Sequence, residues 1–309
     1  RRARWLTRAA KRSGAGSGCP TVAHGVYETR VRIASVSDLH VDFAPNRDAL
    51  VKLATAIHRR GADAVVVAGD VSHVDDHIAR ALRAFRLAAP RVAYLPGNHD
   101  LWFARKDAAR DPEVDSWKRY TTHLRALVES EDCTYLPAEP LEMDGVAIVG
   151  TTGWYDYSLL RPELRAQLDD ATLASKRLGE AVWMDVRMSD EAVARRMERE
   201  LAAQLEDVDG NPEVRDVVVA THVVPFREAL GPSKGLPWDF FDAYMGSVRL
   251  GEIIRSSKKV RACIYGHTHT PRAFRVGPIQ VHGTPLGYPR ERKGVDPEAI
   301  ADRAVGWVE

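Results

Sequence analysis

Cysteine is scarce in this chain of 309 residues: Cys19, Cys133 and Cys263 are the only three, and they lie far apart. An odd number at wide spacing argues against a disulfide framework. It fits a reducing compartment, so a cytoplasmic location is expected. No CxxC pair occurs, which argues against a thiolate zinc site. Long apolar runs are absent too, and no stretch reaches the length that crosses a bilayer. An excess of either charge is also lacking. Lys and Arg number 44 against 43 Asp and Glu, for a formal net charge of +1. Such a balance creates no bulk field that would draw in nucleic acid or a membrane surface.

The one basic stretch is at the start, where Arg1, Arg2, Arg4, Arg8, Lys11 and Arg12 occur without an acid. The Gly-rich run at Gly14–Gly18 follows and reads as a linker. Residues 1–29 are expected to form a flexible basic leader rather than an arm for an acidic partner. No apolar stretch follows Arg1-Arg2, so a twin-arginine export signal fits poorly.

What is present is an ordinary globular composition, 45% apolar and 28% charged, with a strong alternation of strand and helix patterns. Val31–Val36, Ala64–Ala68 and Val92–Leu95 read as strands. Asn46–Arg60 and His77–Ala88 read as the helices between them. Such alternation predicts an α/β sheet with crossovers. Val114–Glu129 reads as a helix, and Leu141–Met143 with Val146–Thr151 as a hairpin about Asp144-Gly145. Pro162–Leu178 and Ser189–Leu205 read as charged amphipathic helices, the second capped by Ser189. Strands resume at Val217–Ala220, Val260–Tyr265, Ala273–Val276 and Ile279–Val281. The expected organisation is one α/β domain over residues 30–290, with a helical insertion near 158–210 and an irregular tail at 291–309.

Chemistry-bearing residues cluster immediately after these strands. Asp38-Leu39-His40 follows the first, Gly69-Asp70 the second and Gly97-Asn98-His99-Asp100 the third. His222 follows Val217–Ala220, and Gly266-His267-Thr268-His269 follows Val260–Tyr265. The carboxyl ends of strands in an α/β sheet converge on one crevice, where ligands bind. Carboxylate, amide oxygen and imidazole together suit Mn, Fe or Zn. In extended backbone, the spacing of Asp38/His40 and of His267/His269 points both side chains the same way. Gly69, Gly97 and Gly266 let the chain turn sharply off each strand.

These five elements, in this order over residues 33–269, resemble the calcineurin-like metallophosphoesterase superfamily. The resemblance implies a four-layer α-β-β-α sandwich of two mixed β-sheets flanked by helices, and two divalent metal ions. By position, Asp38, His40 and His269 would hold the first ion, Asn98, His222 and His267 the second, and Asp70 would bridge them. His99 would contact the phosphate and protonate the leaving oxygen, and a metal-bridging hydroxide would attack. The implied activity is hydrolysis of a small or medium phosphate monoester or diester, nucleotides included.

Departures narrow the resemblance. His73 stands where the Ser/Thr protein phosphatases have Asp and the purple acid phosphatases have a metal-binding Tyr. The Arg-Gly that follows in the former is absent, and His40 stands where the latter have Gly. His73 is a candidate substrate contact or a loop residue at the rim. The stretches Gly150–Tyr157 and Pro285–Arg290 are similar to segments of an uncharacterised bacterial branch. Trp154, Tyr155 and Tyr157 can line a substrate pocket or anchor their loop to the core. Phe226, Trp238, Phe240, Phe241 and Tyr244 can form a pocket wall or meet a partner, and no protein partner is identified. A nuclease of the double-strand-break-repair type shares the motifs, but it predicts a basic groove that this composition does not supply. A non-catalytic scaffold is disfavoured because His99 and all seven ligand positions are present.

Overall fold

The computed structural model describes residues 31–103, 115–176, 183–296 and 299–309. The expected leader, Val114 and the end of the expected helix Pro162–Leu178 lie outside these residues. Among them, no helix is long and apolar enough to cross a membrane.

Three largely apolar strands form the heart of the first sheet: β1 (Ile33–Val36), β2 (Ala64–Ala68) and β3 (Arg91–Leu95). They run parallel, with Ile33 beside Ala64 and Ala64 beside Arg91. Near-continuous apolar strands are what a sheet covered on both faces requires. Two short strands complete it, β4 (Thr134–Tyr135) beside β3 and, at the other edge, β11 (Gly306–Val308) antiparallel to β1.

The second sheet has six strands, in the order β5 (Leu141–Met143), β6 (Val146–Thr151), β7 (Asp216–Thr221), β8 (Val260–Tyr265), β10 (Ile279–Gly283) and β9 (Arg272–Val276). Its hairpin of β5 and β6 turns at Asp144-Gly145, both in left-handed backbone. β7 and β8 extend it in parallel. A hairpin of β9 and β10 closes that edge.

Period-two alternation sorts the side chains into layers. Ile33, Ala64, Val66, Ala68, Ala93 and Leu95 meet Ile148, Val218, Ala220, Ala262 and Ile264 between the sheets. The opposite residues of β1–β3, such as Val65 and Val67, face α1 (Ala44–Arg60) and α2 (Asp75–Ala88) through Leu53, Ile57, Leu82 and Phe85. Those of β6–β8, such as Val149, Val219 and Cys263, face α4 (Asp190–Gly210) and α5 (Val248–Ser256) through Leu201, Leu205, Leu250 and Ile254. The result is a four-layer α-β-β-α sandwich. Its inner layer brings the carboxyl ends of β1–β3 and of β7 and β8 together.

Three elements differ from expectation. The helix predicted from Val114 contains a π-helical turn at Arg119–His123 before α3 (Leu124–Ser130). Such turns gather at functional sites, and here the buried Arg119 donates to the carbonyls of Asp100 and His73. The run from Pro162 is two short helices, Pro162–Arg165 and Asp170–Ser175. The Asp169 carboxylate accepts from the Thr172 amide and starts the second helix afresh. The tail is not irregular: a short helix, Ile300–Ala304, leads into β11. Arg60 covers the Trp307 ring at 4.1 Å. Removing Val305–Glu309 should therefore uncover the β1 edge and cost about 2 kcal/mol or more. Denaturant unfolding of the shortened chain checks this; an unchanged midpoint would refute it.

Candidate metal centre

Three of the motifs turn off their strands by an unusual backbone conformation. Asp38, His40, Asp70, His267 and His269 all have positive φ, between 41° and 70°. Left-handed backbone is costly for residues with side chains and persists where the surrounding structure enforces it. The expected extended geometry of the Asp38/His40 and His267/His269 pairs is thus replaced by a left-handed one. The enforcement is visible in backbone bonds. The Asp38 amide donates to Gly69 O and the His40 amide to Asp70 O. The His267 amide donates to the Asp38 carboxylate at 2.9 Å. Gly69 has φ of 83°, and a Cβ there would sit 2.5 Å from the Gly97 nitrogen, so the two glycines let adjoining turns close on each other.

Asp100 ties the same turns together. Its buried carboxylate accepts from the amides of Val71, Ser72 and Gly97 at 2.7–2.8 Å. Burial, and then the charge of Asp70, push its carboxyl up to about 7, against the pull of those amides. The sequence places Asp100 in a motif but gives it no task; the structure shows that it joins the second and third turns.

Two groups of donors converge around Asp70. Asp38, His40, Asp70 and His269 form one, and Asp70, His222 and His267 the other; in each, the donor atoms lie within 4.8 Å of one another. Asn98 belongs to the second, since its Oδ1 lies 3.0 Å from both His222 Nε2 and His267 Nδ1. Asp70 is 1% exposed and belongs to both groups. His40 Nε2 and His269 Nε2 lie only 3.0 Å apart. Nitrogens and carboxylate oxygens gathered this closely in a buried place suit hard or borderline divalent cations, so the residues fit two such ions sharing Asp70.

Electrostatics separate the histidines. Burial holds His40 down to about 4, and burial with the His222 charge does the same for His267. Burial also opposes the charge of His222 and His269. Asp70 nevertheless raises His222 to about 9, and Asp38 with Glu291 raises His269 to about 10. Burial would raise Asp38, but His269 and His222 outweigh it and hold the carboxyl at about 2. Asp70 is likewise held well below its ordinary value, against burial, by His222 and His99.

Outer contacts orient the candidate donors. His222 Nδ1 faces Ala68 O at 3.0 Å, and His267 Nε2 faces Tyr244 O at 3.1 Å. His269 Nδ1 meets the Glu291 carboxylate at 2.9 Å. A carboxylate or carbonyl behind an imidazole fixes which nitrogen is offered forward. The His99 amide donates to Asp70 at 2.9 Å, and its ring is stacked on Trp102 at 3.7 Å between centroids.

A cavity of about 610 Å³ has His40 and His99 on its wall, with Phe43, His73, Trp102, Tyr288 and Arg290 around them. His73, a predicted substrate contact, lies at this cavity with its side chain 45% exposed and Nδ1 3.6 Å from Asp42. Trp154 and Tyr155 do not. Both are 2% exposed, stack on each other at 4.9 Å, and belong to the core. The Trp154 indole donates to Asp190, which also accepts from Tyr157, so this loop is anchored rather than open. Of the aromatics after His222, Phe226 and Tyr244 are buried, whereas Trp238 and Phe241 line a separate pocket of about 310 Å³ beside Thr268. No motif in the sequence singles out Phe43, Trp102, Tyr288 or Glu291. The similarity of Pro285–Arg290 to a family segment was the one signal pointing to Tyr288.

A family model described as calcineurin-like phosphoesterase matches residues 31–271. The chain belongs to this family. Calcineurin-like phosphoesterases use divalent metal ions, and the protein is a hydrolase acting on phosphoester bonds. It is 28% identical over 288 residues to the [acyl-carrier-protein] phosphodiesterase PptH of Mycobacterium tuberculosis, covering 89% of this chain and 82% of that protein. The crystal structure of the phosphopantetheinyl hydrolase PptH from the same organism superposes with a TM-score of 0.69 at 20% identity, covering 89% of this chain and 95% of that one. This calcineurin-like fold is therefore shared well beyond the ligand motifs.

Two outcomes follow. Ligand nitrogens must be unprotonated to bind a cation, and His222 and His269 keep their protons to about 9 and about 10 in the metal-free protein. Binding of Mn²⁺ should release protons, and affinity should rise at least about tenfold between roughly pH 6 and pH 8. Calorimetry in buffers of different ionisation enthalpy measures both; a flat profile would refute the geometry. Trp154→Phe should cost about 1–2 kcal/mol through the lost bond to Asp190 while leaving KM unchanged. Urea unfolding beside steady-state kinetics checks this.

Proposed function

We propose that this chain is a dinuclear phosphodiesterase whose substrate carries an extended arm on one side of the scissile phosphate. One observation carries the reading: two donor groups share the buried Asp70 carboxylate, and the His99 ring stands beside them at the wall of a large cavity. Asp38, His40 and His269 would hold one ion, Asn98, His222 and His267 the other, and Asp70 both. Mn, Fe and Zn all suit this donor set. When bound, such a pair supplies an acidified water and charge neutralisation for the phosphoryl oxygens.

The rest is done by the chain. Turns locked by Asp100 keep the ligand carboxylates and imidazoles in place before substrate arrives, so little reorganisation is left for the reaction. Trp102 holds the His99 ring against rotation, leaving Nε2 to hydrogen-bond the phosphate and hand a proton to the departing oxygen. Phe43, Trp102 and Tyr288 offer apolar surface to an arm, and Arg290 offers it a charge.

The relative PptH suggests which arm. A phosphopantetheine group joined to a carrier protein is a phosphodiester with a long, flexible, partly apolar chain, and the cavity suits it in size and lining. The metal-loaded protein should remove this arm from a holo-carrier protein, read as a mass loss on the carrier. It should also cleave an aryl phosphodiester at least about tenfold faster than the aryl monoester. Turnover of monoesters alone would overturn the diester reading, and an intact carrier would overturn the arm. His99→Ala should keep the metal content and lower turnover roughly 10²–10⁴-fold.

A further inference from the structure

The segment Pro285–Arg292 crosses the first donor group without supplying a ligand-type residue from the motifs. It is bonded directly onto the Asp38 turn: the Leu286 amide donates to Ser37 O and the Gly287 amide to Asp38 O, each at 2.9 Å. The Asn46 amide nitrogen and the Arg292 guanidinium both donate to Gly287 O, at 3.0 and 2.7 Å. The Glu291 carboxylate accepts from the Tyr288 amide at 2.8 Å and faces His269 Nδ1 with the same oxygen. Tyr288 is therefore fixed to the site through its backbone.

Its ring is fixed as well. It stacks on His40 at 4.4 Å with the planes 25° apart, and meets His269 edge-on at 4.7 Å. Phe43 touches it at 5.6 Å, and the Arg290 guanidinium lies 5.1 Å from its centroid. Held on these sides, the hydroxyl points to His99, with Oη 3.5 Å from Nε2. That separation is too long for a strong hydrogen bond. The proton on Oη is thus not committed to His99, and one oxygen placed between the two groups can accept from both.

We propose that Tyr288 is a further catalytic residue, its hydroxyl donating to the same departing ester oxygen of the phosphate as His99. The two donors form a cradle for charge that grows as the ester bond breaks, on the wall of the cavity and beside the first donor group. The inference rests on the phosphoesterase reading but not on the carrier-protein arm.

Tyr288→Phe tests it, because the ring contacts to His40 and His269 and the backbone anchors remain. Metal content and thermal midpoint should match the parent. Removing one donor of a preorganised pair should lower kcat on an aryl phosphodiester at least about tenfold with KM little changed. Inorganic phosphate, titrated calorimetrically into the metal-loaded protein, should bind at least about tenfold more weakly, a readout that needs no turnover. Groups that act as a unit are not additive, so in a His99→Ala background the same change should cost less than about threefold. Phosphate affinity and kcat within about twofold of the parent, or an equal loss in both backgrounds, would overturn the proposal. If phosphate binding weakens as expected while the holo-carrier stays intact, the cradle stands and only the proposed arm fails.

Discussion

A buried carboxylate shared by two sets of donors is the constraint on which this structure turns. Asp70 is out of water, and the ionised form of such a group is very costly unless positive charge meets it from close by. His222 and His99 approach it from different strands, at 3.4 and 3.9 Å to its oxygens, and the His99 amide donates to it directly. The two sheets must therefore close with their carboxyl ends in register, since His222 leaves β7 of one and Asp70 leaves β2 of the other. Asp70 itself and four of the residues gathered around it, Asp38, His40, His267 and His269, hold left-handed backbone at the strand ends.

Much of the fold can be read from the residues because the strands are short, apolar and bounded by turn signals. β2, β5, β6 and β8 fall where the pattern places them. The misses have specific causes. The charged spacing from Pro162 conceals a break, because Asp169 competes for a backbone amide and a helix-period reading is blind to caps. β11 has three residues, too few to show any period, and only its pairing with β1 makes it a strand. The two donor groups are legible because oxygen and imidazole side chains recur at strand ends. The backbone conformation presenting them is not, since a two-residue spacing is compatible with several conformations.

The cavity was less legible than the ligands for a related reason. Its wall is built by Phe43, Trp102 and Tyr288, residues that in sequence look like ordinary packing groups. Meanwhile Trp154 and Tyr155, within the family-like segment Gly150–Tyr157, belong to the core, where Asp190 accepts a hydrogen bond from the indole. An aromatic residue's role here is settled by where its polar partner lies. Phe43 and Trp102 lie only three residues after His40 and His99, so one run of chain supplies both a donor or its neighbour and the wall, whereas Tyr288 comes from far downstream.

The segment carrying Tyr288 and Glu291 lies downstream of every ligand, whereas the turn it clasps follows the first strand of the sandwich. During synthesis the seven donors can emerge and fold while the clasp is still unmade. Closure is then a contact between parts distant in sequence, a slow class of event in folding. A nascent chain would pass through a stage in which all seven donors are present while the cavity still lacks the wall that Tyr288 provides.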